Sequence, residues 1–545
     1  MPGTSKEVVI PGSMGDSLAG GDRTSLASQR LPRMIAVLGV LLAVCLPYVQ
    51  LTRSYFLGYD DFREVHRAAF DDAKNPAGIF TTGHFGQAKY RPLNRGLNFI
   101  SYQLGDGNPA IFRLRNLSFH LLNCVLVYLL GMLLFDSFLT AIVGALFFGL
   151  NPVAHQAVAG AVMTNTAAGS LGLLAVLIGV RSYRAKQNQS LQLALAVFIA
   201  WIGAFVYEAD VTALGVIFCY FALDSLMFRR PNINRAWLFT GIALSVAVVA
   251  SMLITRAIVL TPGTHQPIAS LGVIAKNAAI YLLAIANPVD SLLANQWAGA
   301  PLISEVHPSL VLLIAILVIA LLVILAIVFR YRVQIRRQKM DLLNCAFLLC
   351  AAGLTMFPLV VFNEHPSETY LYLPLAFVML FLARLILFIR RSRPAAAFTL
   401  IGVLGVLYGC ATFERSQRVF QSATIAKRIL SELPTSRWQQ GAWHINISNH
   451  PGYLRPTRYG LYTYRGLDTI GVGDGIGSVE FALQLATKNP DVHVDVPSPQ
   501  PCENPEKLDS AHNQRFWILP DGRVIELPNI TQEQPCGAKK TAGAA

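Results

Sequence analysis

Long apolar runs broken by short polar stretches dominate the chain, and about eleven of them approach the roughly 20 residues that a helix needs to cross a hydrocarbon core. They are 34–51, 114–135, 138–151, 166–180, 191–207, 209–228, 236–255, 308–329, 341–362, 370–389 and 395–412. A further run, 271–286, competes for a place, with Lys276 and Asn277 at its polar edge. Counting it would put the cluster Arg330/Arg332/Arg336/Arg337/Lys339 on the opposite side from the other basic clusters, so it reads as an interfacial or re-entrant helix. With eleven spans, that cluster falls on one side together with Arg181/Arg184/Lys186, Arg229/Arg230/Arg235 and Arg390/Arg391/Arg393. The positive-inside rule makes that side cytoplasmic.

The same pattern divides the chain. Residues 1–32 are rich in Gly, Ser and charge and predict a disordered cytoplasmic tail; 33–412 form the membrane domain; 413–545 form a small extracytoplasmic α+β domain. The long loop 53–112 is also expected outside. In the tail, Trp443–Ile447 reads as a strand, and Phe516–Leu527 reads as a hairpin around Asp521-Gly522. The expected fold class is therefore an all-α polytopic membrane protein with an α+β appendage.

Composition strengthens this picture. Apolar residues make up 54% of the 545 and charged residues only 14%, against about 25% charged in soluble domains. The net charge of +13 sits in the short clusters between spans, so it reports topology and excludes nucleic acid as the partner it would otherwise suggest. Six of the eight cysteines lie in apolar runs. The other two, Cys502 and Cys536, are expected to oxidise outside the cytoplasm, closing a loop of about 35 residues at a gain on the order of 4 kcal/mol. No Cys-x-x-Cys or His-x-x-x-His spacing points to a metal.

Ionisable groups near membrane spans are costly and so are functional candidates. Here they gather on the outer side: Asp60 and Asp61 after the first span, Arg91 in the same loop, His155 and Gln156 after the third, Glu208 between the fifth and sixth, Arg256 at the end of the seventh, and Glu364, His365 and Glu368 between the ninth and tenth. Taken alone, Asp60/Asp61 also suit the N-terminus of the helix-like stretch that follows. Glu208 also suits a wet turn, and the histidines an interfacial position.

Seven short elements occur in order: Tyr59-Asp-Asp-Phe62, Lys89-Tyr-Arg-Pro-Leu93, Arg115-Asn-Leu-Ser-Phe-His120, Gly149-Leu-Asn-Pro-Val-Ala-His-Gln-Ala-Val158, Val206-Tyr-Glu208, Tyr281-Leu-Leu-Ala-Ile-Ala-Asn-Pro288 and Ser367-Glu-Thr-Tyr-Leu-Tyr-Leu-Pro374. Over about residues 33–435 the chain resembles the C-type integral-membrane glycosyltransferases, most of all the protein O-mannosyltransferase-like branch that often carries tetratricopeptide repeats, which are absent here. The resemblance implies sugar transfer, with inversion, from a polyprenyl-phosphate-linked donor to a protein or glycan acceptor on the outer side of the bilayer. An acid of the first outer loop, Asp60 or Asp61, would be the base. Tyr90, Arg91, His155, Gln156, Arg256 and Lys276 would meet the donor or its phosphate, with Glu208, Glu364, His365, Glu368 and Tyr372 as further site candidates.

No cofactor is implied, and a divalent cation is left open. A bacterial inner membrane is the expected location, with the endoplasmic reticulum as the alternative. Asn151-Pro152 with Gln156, and Glu368-Thr369, replace charged patterns usual in that branch. A catalytically degenerate scaffold or a lipid-linked glycan carrier is therefore the second reading.

Overall fold

The computed structural model describes residues 23–83, 89–185, 187–228, 235–260, 269–286, 339–362, 367–390, 392–447, 477–495, 513–518 and 523–527. Helix α1 (Arg23–Cys45) continues as a 3-10 stretch to Arg53. Three helices follow before the next span: α2 (Gly58–His66), α3 (Gly78–Thr81) and α4 (Pro92–Gly105). The bundle then runs through α5 (Pro109–Phe135), α6 (Phe138–Leu150), the short α7 (His155–Ala159), α8 (Asn165–Arg184), α9 (Gln189–Val206), α10 (Thr212–Phe228), α11 (Arg235–Val259) and α12 (Leu271–Ala286). It closes with α13 (Lys339–Phe362), α14 (Tyr372–Ile389) and α15 (Pro394–Glu432).

Nine helices among the described residues are long and apolar enough to cross a membrane, and the chain is a multi-pass integral membrane protein. Expected spans and helices match closely, with three qualifications. Helix α6 has 13 residues, about 20 Å at 1.5 Å per residue, so it falls short of a 30 Å core. It is instead walled in by its neighbours, with Phe147, Phe148 and Gly149 buried. Helix α12, at 16 residues, is also short and buries one side through Asn277, Ile280, Tyr281 and Ala284. The run 308–329 lies outside the described residues.

Small residues let the helices close on each other, as packing in lipid demands. A Cβ at Gly144 would come within 2.6 Å of Leu380, and one at Gly169 within 2.8 Å of the Tyr372 ring.

Helix α15 is continuous for 39 residues, about 58 Å, so the domain boundary expected at 412 falls inside one helix. Its far end carries the tail. There α16 (Gly477–Thr487) and the strands β1 (Trp443–Ile447), β2 (Val492–Asp495), β3 (Asn513–Ile518) and β4 (Val524–Leu527) form a sheet of order β2-β1-β3-β4. Strand β1 is parallel to both neighbours, and β3 pairs antiparallel with β4, Phe516 opposite Glu526, as the hairpin pattern predicts.

Tail and membrane domain share one apolar cluster. Ile445, Val479, Leu483, Trp438 and Phe516 join Phe56, Phe62 and Val65 beside and on α2, and Ile429 and Leu430 of α15. The ring of His66 lies 4.7 Å from that of Phe70 and 4.8 Å from that of Phe481. The tail is thus built onto the helix that carries Asp60 and Asp61.

Candidate functional site

The chain enters α2 from an extended Leu57 (φ −125°, ψ 130°), with Asp60 and Asp61 in the first turn, where the positive end of the helix favours acids. Their environments then diverge. Asp61 is 1% exposed, and both its oxygens are engaged: Oδ2 accepts the Leu57 N–H at 2.9 Å and Oδ1 the Val162 N–H at 3.3 Å. Burial pushes its carboxyl up to about 6, against the pull of Arg113 and of those two N–H groups. Asp60 stays half-buried, and its charge reaches Lys89. The geometry therefore separates a carboxylate that braces the loop from one that stays partly exposed.

What holds Val162 in place is a set of arginines at the start of α5. Arg113 is buried and donates from Nη2 to Tyr55 O at 2.7 Å, from Nε to Ser54 O at 3.3 Å and from Nη1 to Ala159 O. Arg115 donates to Ala161 O at 2.9 Å and to Asn98 Oδ1 at 2.9 Å, while Asn116 donates to Gly160 O at 2.7 Å. A third arginine, Arg95 of α4, joins Asp72, the Gly78 carbonyl and Thr82. None of these three arginines was a site candidate from the sequence; their signal is charge at the mouth of an apolar run, which anchoring residues share.

Arg91, at the N-terminal edge of α4, meets Glu208, 117 positions on, through two parallel bonds: Nε to Oε2 at 2.5 Å and Nη2 to Oε1 at 2.9 Å. Its guanidinium lies 4.7 Å over the Tyr207 ring, which stacks on Tyr370 at 6.0 Å and 3°. Burial works against the charge on Arg91, but Glu208 more than offsets it, so the group is held charged. Lys89 sits in the same field. Arg91 and burial push its ammonium down to about 8, Glu208 and Asp60 pull the other way, and Arg256 near the end of α11 adds to the depression. Lys89 opens the Lys89–Leu93 element, yet nothing in the sequence sets it apart from an ordinary loop lysine. Glu64, one turn past Asp60 on α2, is also buried and is pushed up to about 7.

Asp60, Lys89, Arg91, Glu208 and Arg256 thus share one electrostatic neighbourhood at one end of the bundle. Tyr90 borders it, donating to Phe80 O at 2.9 Å and lying edge-on to Phe205.

Other candidates occupy different places. His155 is buried, stacks on Tyr48 at 5.9 Å and pairs with Ser416 Oγ at 3.1 Å. Oε1 of Gln156 accepts from Ser367 Oγ and from the Thr369 N–H, each at 2.9 Å. Glu368 pairs with Arg415 at 2.8 Å, and Arg415 also reaches Pro152 O. These four residues tie the turn after α6 to the start of α14 and to α15. Tyr372 is deeper, its hydroxyl meeting His120 Nδ1 at 2.8 Å and Asn123 Nδ2 at 2.9 Å. Lys276 lies half-buried on the second turn of α12. Glu364, His365, Cys502 and Cys536 lie outside the described residues. Among the described residues, no group of three His, Cys, Asp or Glu side chains could hold a metal ion.

No protein-family model matches the chain, and no curated protein does. Among solved structures, an Archaeoglobus fulgidus oligosaccharyltransferase crystallised with Zn and sulfate overlaps 84% of this chain and 67% of its own, at 11% identity and a TM-score of 0.48. The same organism's AglB, solved with an inhibitory peptide and a dolichol-phosphate, overlaps 83% and 65%, at 12% identity and a TM-score of 0.47. ArnT from Cupriavidus metallidurans, bound to undecaprenyl phosphate, overlaps 85% and 89%, at 15% identity and a TM-score of 0.36. This chain therefore spans about two thirds of the length of the archaeal proteins. Overlaps this loose set no activity for this chain.

Proposed function

We propose that the protein is an inverting glycosyltransferase that uses a polyprenyl-phosphate-linked sugar on the extracytoplasmic side of the membrane. The observation that carries this reading is the neighbourhood of Asp60, Lys89, Arg91 and Arg256: a half-buried carboxylate next to fixed positive charge, at the rim of a membrane bundle. A sugar phosphate on a lipid is confined to that level. Asp60 accepts the proton of the acceptor hydroxyl as its oxygen attacks the anomeric carbon from the face opposite the phosphate. The bond from that carbon to the phosphate oxygen breaks, and its electron pair leaves with the polyprenyl monophosphate. Lys89 and Arg256 stabilise the charge that develops there, while Glu208 fixes Arg91 at the wall of the site.

The alternative, a degenerate scaffold or glycan carrier, rests on charged patterns replaced at Asn151, Gln156 and Thr369, the last two of which come together in the fold. Gln156 accepts the Thr369 N–H, so those two positions form one intact joint.

The test is transfer from synthetic polyprenyl-phosphate sugars by purified protein in lipid nanodiscs, with donor binding followed in parallel. Transfer that depends on Asp60 supports the reading. Donor binding with no transfer across a broad acceptor panel selects the scaffold, and neither binding nor transfer rejects both.

A further inference from the structure

Helix α4 is amphipathic in the opposite sense to a helix that faces water. Its inward side is polar: Asn94, Arg95, Asn98 and Ser101 are buried. All four are bonded there. Besides the bonds of Arg95 to Asp72, Gly78 and Thr82, Asn98 Nδ2 donates to Val162 O at 3.2 Å and to Asn94 Oδ1 at 3.1 Å, and Ser101 Oγ accepts from Arg115 at 3.0 Å. The other side carries Leu93, Leu97, Ile100 and Leu104, whose spacing of four, three and four residues is one face of a helix. Ile100 is 54% exposed and Leu104 74%. Phe80, on the short α3 that packs against α4, is exposed as well.

What covers this face follows from where the helix sits. Both ends of α4 are held at one end of the bundle, the first by the bonds of Arg91 to Glu208 in the turn between α9 and α10, the second by the short turn into α5. With 14 residues it is about 21 Å long, too short to cross a core of about 30 Å. It therefore lies across the end of the bundle. Its apolar stripe begins on protein, where Leu93 and Leu97 rest on Ala167, Ala168 and Val206 at the tips of α8 and α9. Past those tips the stripe continues in Ile100 and Leu104, which stay exposed. The turn then sets Gly105 against Ile111, just before the exposed leucines Leu114, Leu122 and Leu129 with which the span α5 faces hydrocarbon. The outer face of α4 is thus an extension of the lipid-facing surface, and a helix with its apolar side turned to acyl chains and its polar side to protein fits the bilayer interface.

We infer that α4 is an interfacial helix whose Ile100 and Leu104 insert into the acyl chains of the lipid leaflet at that end of the bundle. Lys89 and Arg91 immediately precede the helix, so the leaflet fixes the level at which these two cations stand.

The full-length protein in phosphatidylcholine nanodiscs, with neither donor nor acceptor, tests this in two ways. In the first, phosphatidylcholine bearing a diazirine in one acyl chain is photolysed and the adducts are mapped by mass spectrometry. Adducts are expected on Phe99–Leu104 as well as on the leucines of α5, which serve as the positive control. In the second, Leu104→Trp is read against wild type in phosphatidylcholine brominated either near the headgroup or near the chain end. The fluorescence contributed by the added indole should fall about twofold with bromine near the headgroup and less with bromine near the chain end, the depth of an interfacial helix. Adducts on α5 without any on α4 overturn the proposal, as does an added indole that acrylamide quenches and neither bromolipid does. A second copy, or another part of this chain, lying over the face would exclude lipid and give neither adduct nor bromine quenching, which overturns it equally. Stronger quenching from the chain end would place the helix below the interface and overturn it too. Because no sugar transfer is measured, the result is independent of the transferase reading.

Discussion

Two Arg–Glu pairs sit at the same end of the bundle, and their surroundings give them opposite uses. Arg415 and Glu368 are each 3% exposed, joined at 2.8 Å, and flanked by the His155–Ser416 and Gln156–Thr369 bonds. Arg91 and Glu208 are 10% and 29% exposed and lie against an aromatic ring, with Lys89 alongside. The first pair has nowhere to turn when a ligand arrives. The second can share its charge with one at little cost, because it remains open to water. The chemistry of the pair is identical, so burial alone decides which of them can take part in recognition.

The sharpest way to break this comparison is to remove one arginine from each pair. In Arg415→Ala, Glu368 is left buried without its partner, and a loss of about 3–5 kcal/mol in stability is expected, read as a collapse of Tm in detergent. Arg91→Ala should cost only about 1 kcal/mol, since its partner remains partly hydrated. Equal destabilisation by the two variants would erase the distinction between bracket and site.

Next comes the carboxylate beside the open pair. Asp60→Asn keeps shape but cannot take a proton, and turnover is expected to fall about 100-fold while Tm holds. Asp61→Asn should do the reverse in kind, because an amide would turn an N–H₂ group toward at least one of the donors at Leu57 and Val162. A cost of about 1–3 kcal/mol in folding is expected there. A stable Asp61→Asn with the larger catalytic defect would exchange the roles of the two aspartates.

Smaller again is Arg91→Lys. A lysine keeps the charge but cannot reproduce the two parallel bonds to Glu208, and donor affinity is expected to weaken about tenfold as Glu208 loosens and competes with the phosphate for Lys89. Titration of the variant with a non-transferable donor analogue measures this. Unchanged affinity would place the pair outside the donor site.

How much of this was readable beforehand follows from the range of each signal. The helices were legible because an uncharged run is a local property, and so was the first acidic turn. The β1 strand and the β3–β4 hairpin were also written in local pattern. Partners were not: nothing near Arg91 announces Glu208, 117 residues away, and nothing near Gln156 announces the Thr369 backbone. For the same reason His155 and Glu368 looked like candidates equal to Arg91, since sequence shows that a charge lies near the membrane edge but not how deeply it is enclosed. Lys89 carries no signal of its own, since a lysine in a loop is ordinary; only the crowd of Arg91 and Arg256 around it makes it unusual.

That crowd supplies the smallest and most specific effect. Lys89 loses its proton at about 8 instead of its ordinary 10.5, chiefly because Arg91 repels it and burial strips it of water. If its ammonium meets the donor phosphate, affinity should hold from pH 6 to 7 and then fall as pH rises, by about fourfold between pH 7 and 8.5, following the protonated fraction of the free protein. The direction separates this from unfolding. Between about 8 and 10.5 the unfolded chain holds a proton on this lysine that the folded protein has released, so the group makes folding more favourable as pH rises across that window while binding weakens. Lys89→Arg keeps its charge throughout, and its donor affinity should be flat over the same range. A wild-type affinity independent of pH up to 9, measured by equilibrium binding to nanodisc-embedded protein, would remove Lys89 from the phosphate site and leave Arg256 as its remaining cation.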